Sequence, residues 1–228
     1  MNEVVDYNGI LVMCRSNSTD RDIAMCIIGR GEILSDEYHL RALAKTGATL
    51  VDVGAYGGHA SLLAAQLGMK AIAIEPLPAN VENIIQNIAL NNMKESIHLY
   101  EGAIGCNTIC WNGKENDFAI RHRFVAGGTN SDGEEIKVKR LNLDIILDHV
   151  ESIHILKTDC EGGEWELPNF PKTMAKTKYI VGEFHAHRTF VEFKKAFPDF
   201  TDVSEEFGDK HTDSLRMFVF RHKSVLGC

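Results

Sequence analysis

The sequence predicts an α/β fold built on a mostly parallel sheet, and three observations carry that prediction. From residue 49 onward, strand-like and helix-like patterns alternate, which right-handed crossovers between parallel strands produce. The segment 70–74 is almost wholly apolar, as suits a parallel strand covered on both faces. The run Val51-Asp52-Val53-Gly54-Ala55-Tyr56-Gly57-Gly58 then puts a carboxylate and three glycines at a strand-to-helix turn, where open α/β sheets hold ligands.

Residues 1–48 are expected to form an N-terminal extension or cap, and 49–228 the main domain. In the extension, 9–13 has strand composition and 16–22 is polar and loop-like. Ser35 is placed to cap a helix over 36–45, with Leu40, Leu43 and Ala44 buried and Gly47 as its stop. A strand follows at 49–53. Ala60, Leu63, Ala64 and Leu67 recur at helical spacing, and Gly68 ends that helix. After the strand at 70–74, Val81, Ile84, Ile85 and Ile88 mark an amphipathic helix. Its polar side is read as Glu82, Asn83, Gln86 and Asn87, and Asn91-Asn92 closes it. A third strand spans 97–100.

Across 105–140, Gly113, Gly127, Gly128 and Gly133 separate strand-like pieces at 108–111, 121–125 and 135–139, an antiparallel excursion or a loop. A short helix at 143–149 precedes strands at 153–158 and 179–184. Phe190, Phe193 and Phe197 carry a last helix, ended by Pro198, and strands at 200–203 and 215–220 close the chain.

The composition narrows the function classes. The chain has 228 residues, 44% hydrophobic and 25% charged, enough to bury a core without disulfides. Its formal charge of −8 repels phosphate backbones, so no nucleic-acid partner is expected. The six cysteines include no CxxC pair, which argues against zinc, and free thiols suit a reducing compartment. The N-terminus lacks a basic region and a long apolar core, and apolar runs such as 23–28 are too short to span a bilayer. A cytoplasmic protein without a membrane partner is the expectation.

The turn distinguishes between nucleotide-like ligands. A nicotinamide fingerprint holds a pyrophosphate on backbone amides in a GxGxxG loop. Here an acid stands two residues before Gly54. A carboxylate opposes a pyrophosphate but suits S-adenosylmethionine, which carries an ammonium and a sulfonium. Glu75 ends the second strand, where a carboxylate can accept both ribose hydroxyls.

A second constellation lies at the ends of two later strands. Lys157 and Asp159 share a strand face, and Glu161 and Glu164 follow around Gly162-Gly163. Glu183 and His185 alternate at the next strand end. A solvated loop is the plain alternative, but so many charges at one strand end are costly if buried without use. Asp159, Glu183 and His185 have the chemistry of a mixed-ligand cation site; the sequence by itself assigns no metal.

These motifs resemble the FkbM family of S-adenosylmethionine-dependent methyltransferases over about residues 49–185. The resemblance rests on Val51-Asp52-Val53-Gly54-Ala55 with Gly58, Ile74-Glu75-Pro76 with Asn80, Ala103-Ile104-Gly105, and 141–147. Its most specific part is Leu156-Lys157-Thr158-Asp159-Cys160-Glu161-Gly162-Gly163-Glu164, followed by Glu183 and His185. It implies a three-layer Rossmann-like class I methyltransferase sheet of seven strands with the last antiparallel. By that resemblance Asp52, Gly54 and Gly58 border the methionine moiety and Glu75 holds the ribose. The stretch Glu101, Gly102 and Ala103 lies near adenine, and Ala55, Tyr56, Pro76, Asn80 and Asp159 complete the cofactor set. The family often has Asn where Tyr56 stands. Leu167-Pro168-Asn169-Phe170-Pro171 also departs from its pattern, so a short or displaced helix is expected there.

The expected activity is O-methyl transfer to a small-molecule or sugar hydroxyl. Asp159, Glu161, Glu183 and His185 form the catalytic set, with His185 the base better tuned to neutral pH. The competing readings are a nicotinamide-dependent oxidoreductase and a noncatalytic adenosylmethionine-binding domain.

Overall fold

The computed structural model describes residues 2–105, 108–111, 134–185, 189–209 and 216–225. The chain opens with a hairpin, β1 (Glu3–Tyr7) and β2 (Ile10–Cys14). Its turn is Asn8-Gly9, both residues at positive φ, the pairing that two-residue hairpins favour. Helix α1 (Asp20–Ile27) and the short α2 (Leu40–Leu43) follow. The alternating region then gives β3 (Thr49–Val53), α3 (His59–Gln66), β4 (Lys70–Glu75), α4 (Pro78–Leu90) and β5 (Ile97–Glu101).

Next come β6 (Ala103–Ile104), β7 (Thr108–Trp111), β8 (Glu134–Lys137), β9 (Arg140–Leu141) and α5 (Leu143–Ile146). Strand β10 (Ile153–Thr158) leads into a 3-10 segment, Gly163–Asn169, and α6 (Pro171–Ala175). The chain ends with β11 (Thr177–Phe184), α7 (Phe190–Lys195), β12 (Phe200–Asp202) and β13 (Arg216–His222).

Seven strands form one sheet in the order β12-β13-β11-β10-β3-β4-β5. The pairs from β11 through β5 are parallel, and only the last strand, β13, runs antiparallel to its neighbours. Strand pleating sorts side chains to two faces. Leu50, Ala71, Ala73, Ile155, Val181 and Val219 pack on one side with residues from β1, β2, α2, α3 and α4. Val51, Val53, Ile72, Ile74, Leu156 and Ile180 pack on the other with α5 and a phenylalanine group. That group includes Phe193, whose ring lies 5.0 Å from Phe197 and 5.2 Å from Phe218. The three expected layers are present, and the N-terminal residues are part of one of them.

Some local expectations change. The helix expected over 36–45 shrinks to α2. The Asp36 carboxylate accepts from the amides of Arg41 and Ala42, and His39 sits at positive φ, so 36–39 cannot continue the helix. The loop expected over 16–22 instead leads into α1, whose first turn holds Asp20, buried and paired with Arg15 at 2.7 Å. The excursion over 105–140 contains an antiparallel pair, β7 with β8, and a short parallel pair, β6 with β9, closes its base. The piece expected at 121–125 lies outside the described residues.

The polar side assigned to α4 also needs correction. Asn80, Asn83 and Asn87 are buried, whereas Ile85 is exposed. These asparagines dock the hairpin. Met13 N donates to Asn87 Oδ1 at 2.7 Å and Leu11 N to Asn91 Oδ1 at 2.8 Å, while Asn91 Nδ2 donates back to Leu11 O. Amide side chains thus satisfy a strand edge that would otherwise be buried without partners. Because Asn87 also donates to Gly57 O at 2.9 Å, Asn87→Ala strands two backbone groups, one buried and one half-buried. Urea unfolding of this variant is expected to show a loss of about 2–4 kcal/mol at unchanged m-value.

Candidate active site

The carboxyl ends of β3, β4, β5, β10 and β11 converge on one cavity of about 630 Å³, a volume typical of small-molecule sites. The N-terminal segment contributes Ile23, Cys26, Ile27, Glu37 and Tyr38 to its lining. At the turn after β3, the amides of Gly54 and Ala55 both donate to Ile74 O. Gly54 has φ +75, and a Cβ there would lie 1.9 Å from the carbonyl oxygen of Asp159. Only glycine allows this approach of the two loops.

Glu75 is 4% exposed. Its Oε2 accepts from Tyr56 N at 2.8 Å, and its Oε1 accepts from Leu77 N at 3.0 Å and Asn80 Nδ2 at 3.2 Å. Burial pushes its carboxyl up to about 7 against these donors. Asn80 is itself held by Arg15, whose Nη1 donates to Asn80 Oδ1 at 2.8 Å.

Of the expected cofactor set, Gly54, Ala55, Tyr56, Glu75, Pro76, Asn80, Gly102, Ala103 and Asp159 line the cavity. Three do not. Asp52 is fully buried behind the turn, accepting from Ser61 Oγ at 2.8 Å and facing Lys157 Nζ at 3.1 Å. It therefore supports the turn from behind. Gly58 precedes α3 and faces Ile84, and Glu101 is exposed at the end of β5.

Lys157 is the residue that the candidate set lacked. It is 3% exposed. Its Nζ donates to Gly54 O at 2.7 Å and lies 5.0 Å from the Tyr38 ring centre. Burial works against its charge, but Asp52 and Asp159 outweigh burial and hold its pKa above the ordinary value. Its sequence signal was its place in the Lys157-Thr158-Asp159 motif. Glu37 and Tyr38 were also missed, since the expected helix gave no reason to turn them inward. Tyr38 donates its hydroxyl to Asp159 Oδ2 at 2.7 Å.

The four catalytic candidates come together. His185 Nε2 lies 3.8 Å from Asp159 Oδ1, 3.6 Å from Glu161 Oε2 and 3.8 Å from Glu183 Oε1. Its Nδ1 lies 3.3 Å from Glu164 Oε1. Glu164 is buried and accepts from the amides of Gly162 and His185, both at 2.8 Å, so it ties the loop after β10 to the end of β11. Burial, then repulsion from the neighbouring acids, raises Glu161 and Glu183 to about 7 despite His185. Burial disfavours the His185 imidazolium, yet Glu164, Asp159 and Glu161 lift it to about 9. His185 is therefore protonated at neutral pH in the chain alone. Glu161 and Glu183, at about 7, lie nearer neutrality than the imidazole.

The cavity fits S-adenosylmethionine in its donor set: a buried carboxylate for hydroxyl donors, a glycine-walled turn and an anionic side opposite a sulfonium. The sequence profile of the methyltransferase FkbM domain matches residues 52–218, most of the chain. The protein belongs to the FkbM methyltransferase family. Among solved structures, this FkbM protein is similar to a candidate tRNA (m1A22) methyltransferase from Streptococcus pneumoniae in complex with S-adenosyl-L-methionine. The TM-score is 0.51 at 12% identity, covering 83% of this chain and 74% of that one. It is also similar to the C-terminal domain of precorrin-6Y C5,15-methyltransferase from Rhodobacter capsulatus, with TM-score 0.46, 14% identity and coverage of 84% and 90%. At such identity the likeness to the Streptococcus pneumoniae structure speaks to fold alone. No curated protein sequence matches. Among the described residues, no helix of this FkbM protein is long and apolar enough to cross a membrane.

Removing the Lys157 charge leaves Asp52 buried and unpaired. Lys157→Met is expected to lower unfolding free energy by about 3–5 kcal/mol. Adding Asp52→Asn should recover part of that loss, as chemical denaturation of the single and double variants will measure.

Proposed function

We propose that this protein transfers the methyl group of S-adenosylmethionine to a hydroxyl of a small molecule or sugar. The observation that carries the reading is the placement of Glu161 and Glu183, both near neutrality, in the same cavity as the fixed Glu75 carboxylate. The donor supplies a methyl carbon already activated by its sulfonium. The chain's own work is to orient the acceptor, exclude water and take a proton. Glu75 is the residue for the ribose hydroxyls, Gly54 to Tyr56 form the adjoining turn, and Gly102 and Ala103 stand on the adenine side. Glu161 or Glu183 accepts the hydroxyl proton, since a carboxylate raised to about 7 is matched to that task at neutral pH. Tyr38 holds Asp159 through a hydrogen bond to its Oδ2.

Charge supports a small acceptor over a nucleic acid. Glu37, Asp159, Glu161 and Glu183 line the cavity, and a chain of net charge −8 repels a phosphate backbone.

Melting measurements separate this reading from a nicotinamide enzyme. S-adenosylhomocysteine at saturating concentration is expected to raise the midpoint, whereas NAD+ leaves it unchanged. In turnover assays across hydroxylated acceptors, Glu161→Gln should lower kcat by about 10²–10⁴-fold with product affinity nearly unaltered. Loss of affinity in equal measure would make Glu161 a cofactor ligand instead.

Glu75 adds a pH signature. Ribose hydroxyls donate to the ionised carboxylate, and its pKa near 7 means that acidification protonates it before binding. Affinity for S-adenosylhomocysteine should therefore fall about tenfold from pH 8 to pH 6. Calorimetry on Glu75→Gln should show weaker binding with a shallower dependence on pH in this window.

A further inference from the structure

We propose that Asp159, Glu183 and His185 form a divalent-cation site in the wall of the cofactor cavity, where the cation holds the acceptor by its oxygens. The role given to the cation rests on the methyl-transfer reading; the site itself does not. One ligand atom from each of the three residues lies within 4.8 Å of the other two. Around an ion bonded at about 2.1 Å, neighbouring ligand atoms stand about 3 Å apart. The side chains therefore need to close by only about 1–2 Å.

The imidazole separates this cluster from a solvated acidic loop. Its Nδ1 is backed at 3.3 Å by Glu164, a fully buried carboxylate that also accepts from the His185 amide. A carboxylate beside one ring nitrogen favours presenting the other nitrogen to a metal. Here that other nitrogen, Nε2, faces acceptor oxygens of Asp159, Glu161 and Glu183. Asp159 is oriented in the same manner. The Tyr38 hydroxyl occupies Oδ2, which leaves Oδ1 towards the histidine.

Among the described residues, His185 and the Lys157 ammonium, which is also engaged by Gly54 O and Asp52, stand against the carboxylates of Glu37, Asp159, Glu161 and Glu183. A divalent ion at Nε2 would add positive charge where three carboxylates lie within 3.8 Å of that nitrogen.

One nitrogen with two carboxylate oxygens suits Mn²⁺ and its neighbours better than Ca²⁺, which takes an all-oxygen shell. Three protein ligands leave room for oxygens from the acceptor. A molecule with two adjacent oxygens, such as a vicinal diol or a hydroxy acid, chelates the ion, and a hydroxyl held there loses its proton more readily. With Glu183 on the ion, Glu161 is left to receive that proton.

The test is titration of Mn²⁺ into chelator-treated full-length protein without cofactor, followed by electron paramagnetic resonance. A separate calorimetric titration uses S-adenosylhomocysteine. One Mn²⁺ per chain is expected, with Kd below about 0.1 mM. His185→Ala and Glu183→Gln should each weaken it by about tenfold or more, with unchanged circular dichroism and product affinity. If either variant fails to fold, Asp159→Asn takes its place, read by its Mn²⁺ affinity alone. Absence of Mn²⁺ binding below about 1 mM, or folded variants that bind as the wild type does, overturns the proposal. Mn²⁺ binding without S-adenosylhomocysteine binding upholds the site and removes the methyl-transfer reading.

Discussion

The architecture of the site depends on one buried ammonium. Lys157 stands at the centre of the sheet, on β10 beside β3, and its hydrogen bond to Gly54 O joins the two strand ends that form the cavity. A lysine loses hydration when buried, and here Asp52 behind the turn and Asp159 just past the end of β10 compensate. The same ammonium faces the Tyr38 ring, whose hydroxyl reaches Asp159. Without that charge, the glycine turn, the acidic strand end and the N-terminal segment have no common anchor.

Much of this was legible from residue patterns because the sheet strands are buried on both sides. The strands at 49–53 and 153–158 match their expected bounds, and β4, β5 and β11 fall within a residue or two. Apolar runs between glycine turns have few other ways to fold. The acidic cluster was also legible, since strand alternation puts Lys157 with Asp159, and Glu183 with His185, on shared faces.

Failures came where side chains satisfy backbone groups over long sequence distances. The asparagines of α4 read as a wet face because asparagine is usually exposed; their partners, Leu11 and Met13, are more than seventy residues away. Asp52 read as a cofactor contact because it precedes the turn, yet Lys157 draws it to the other side. Glu37 and Tyr38 gave no signal, since the local pattern favoured a helix that Asp36 and His39 prevent. The tuning of His185 followed the same rule: an isolated imidazole titrates near neutrality, but four acids around it do not leave it isolated.

The asparagine row on α4 has a mechanical consequence. Asn87 and Asn91 grip the edge of β2, and Asn80, at the other end of the same helix, bonds Glu75 and receives Arg15 from the segment just beyond β2. A helix of 13 residues is stiff over that length, so the hairpin and the Glu75 carboxylate move as one body. Residues 2–15 are thereby part of the frame that sets the cavity's width, and a truncated chain would lose registration at the Glu75 carboxylate, which Arg15 reaches through Asn80.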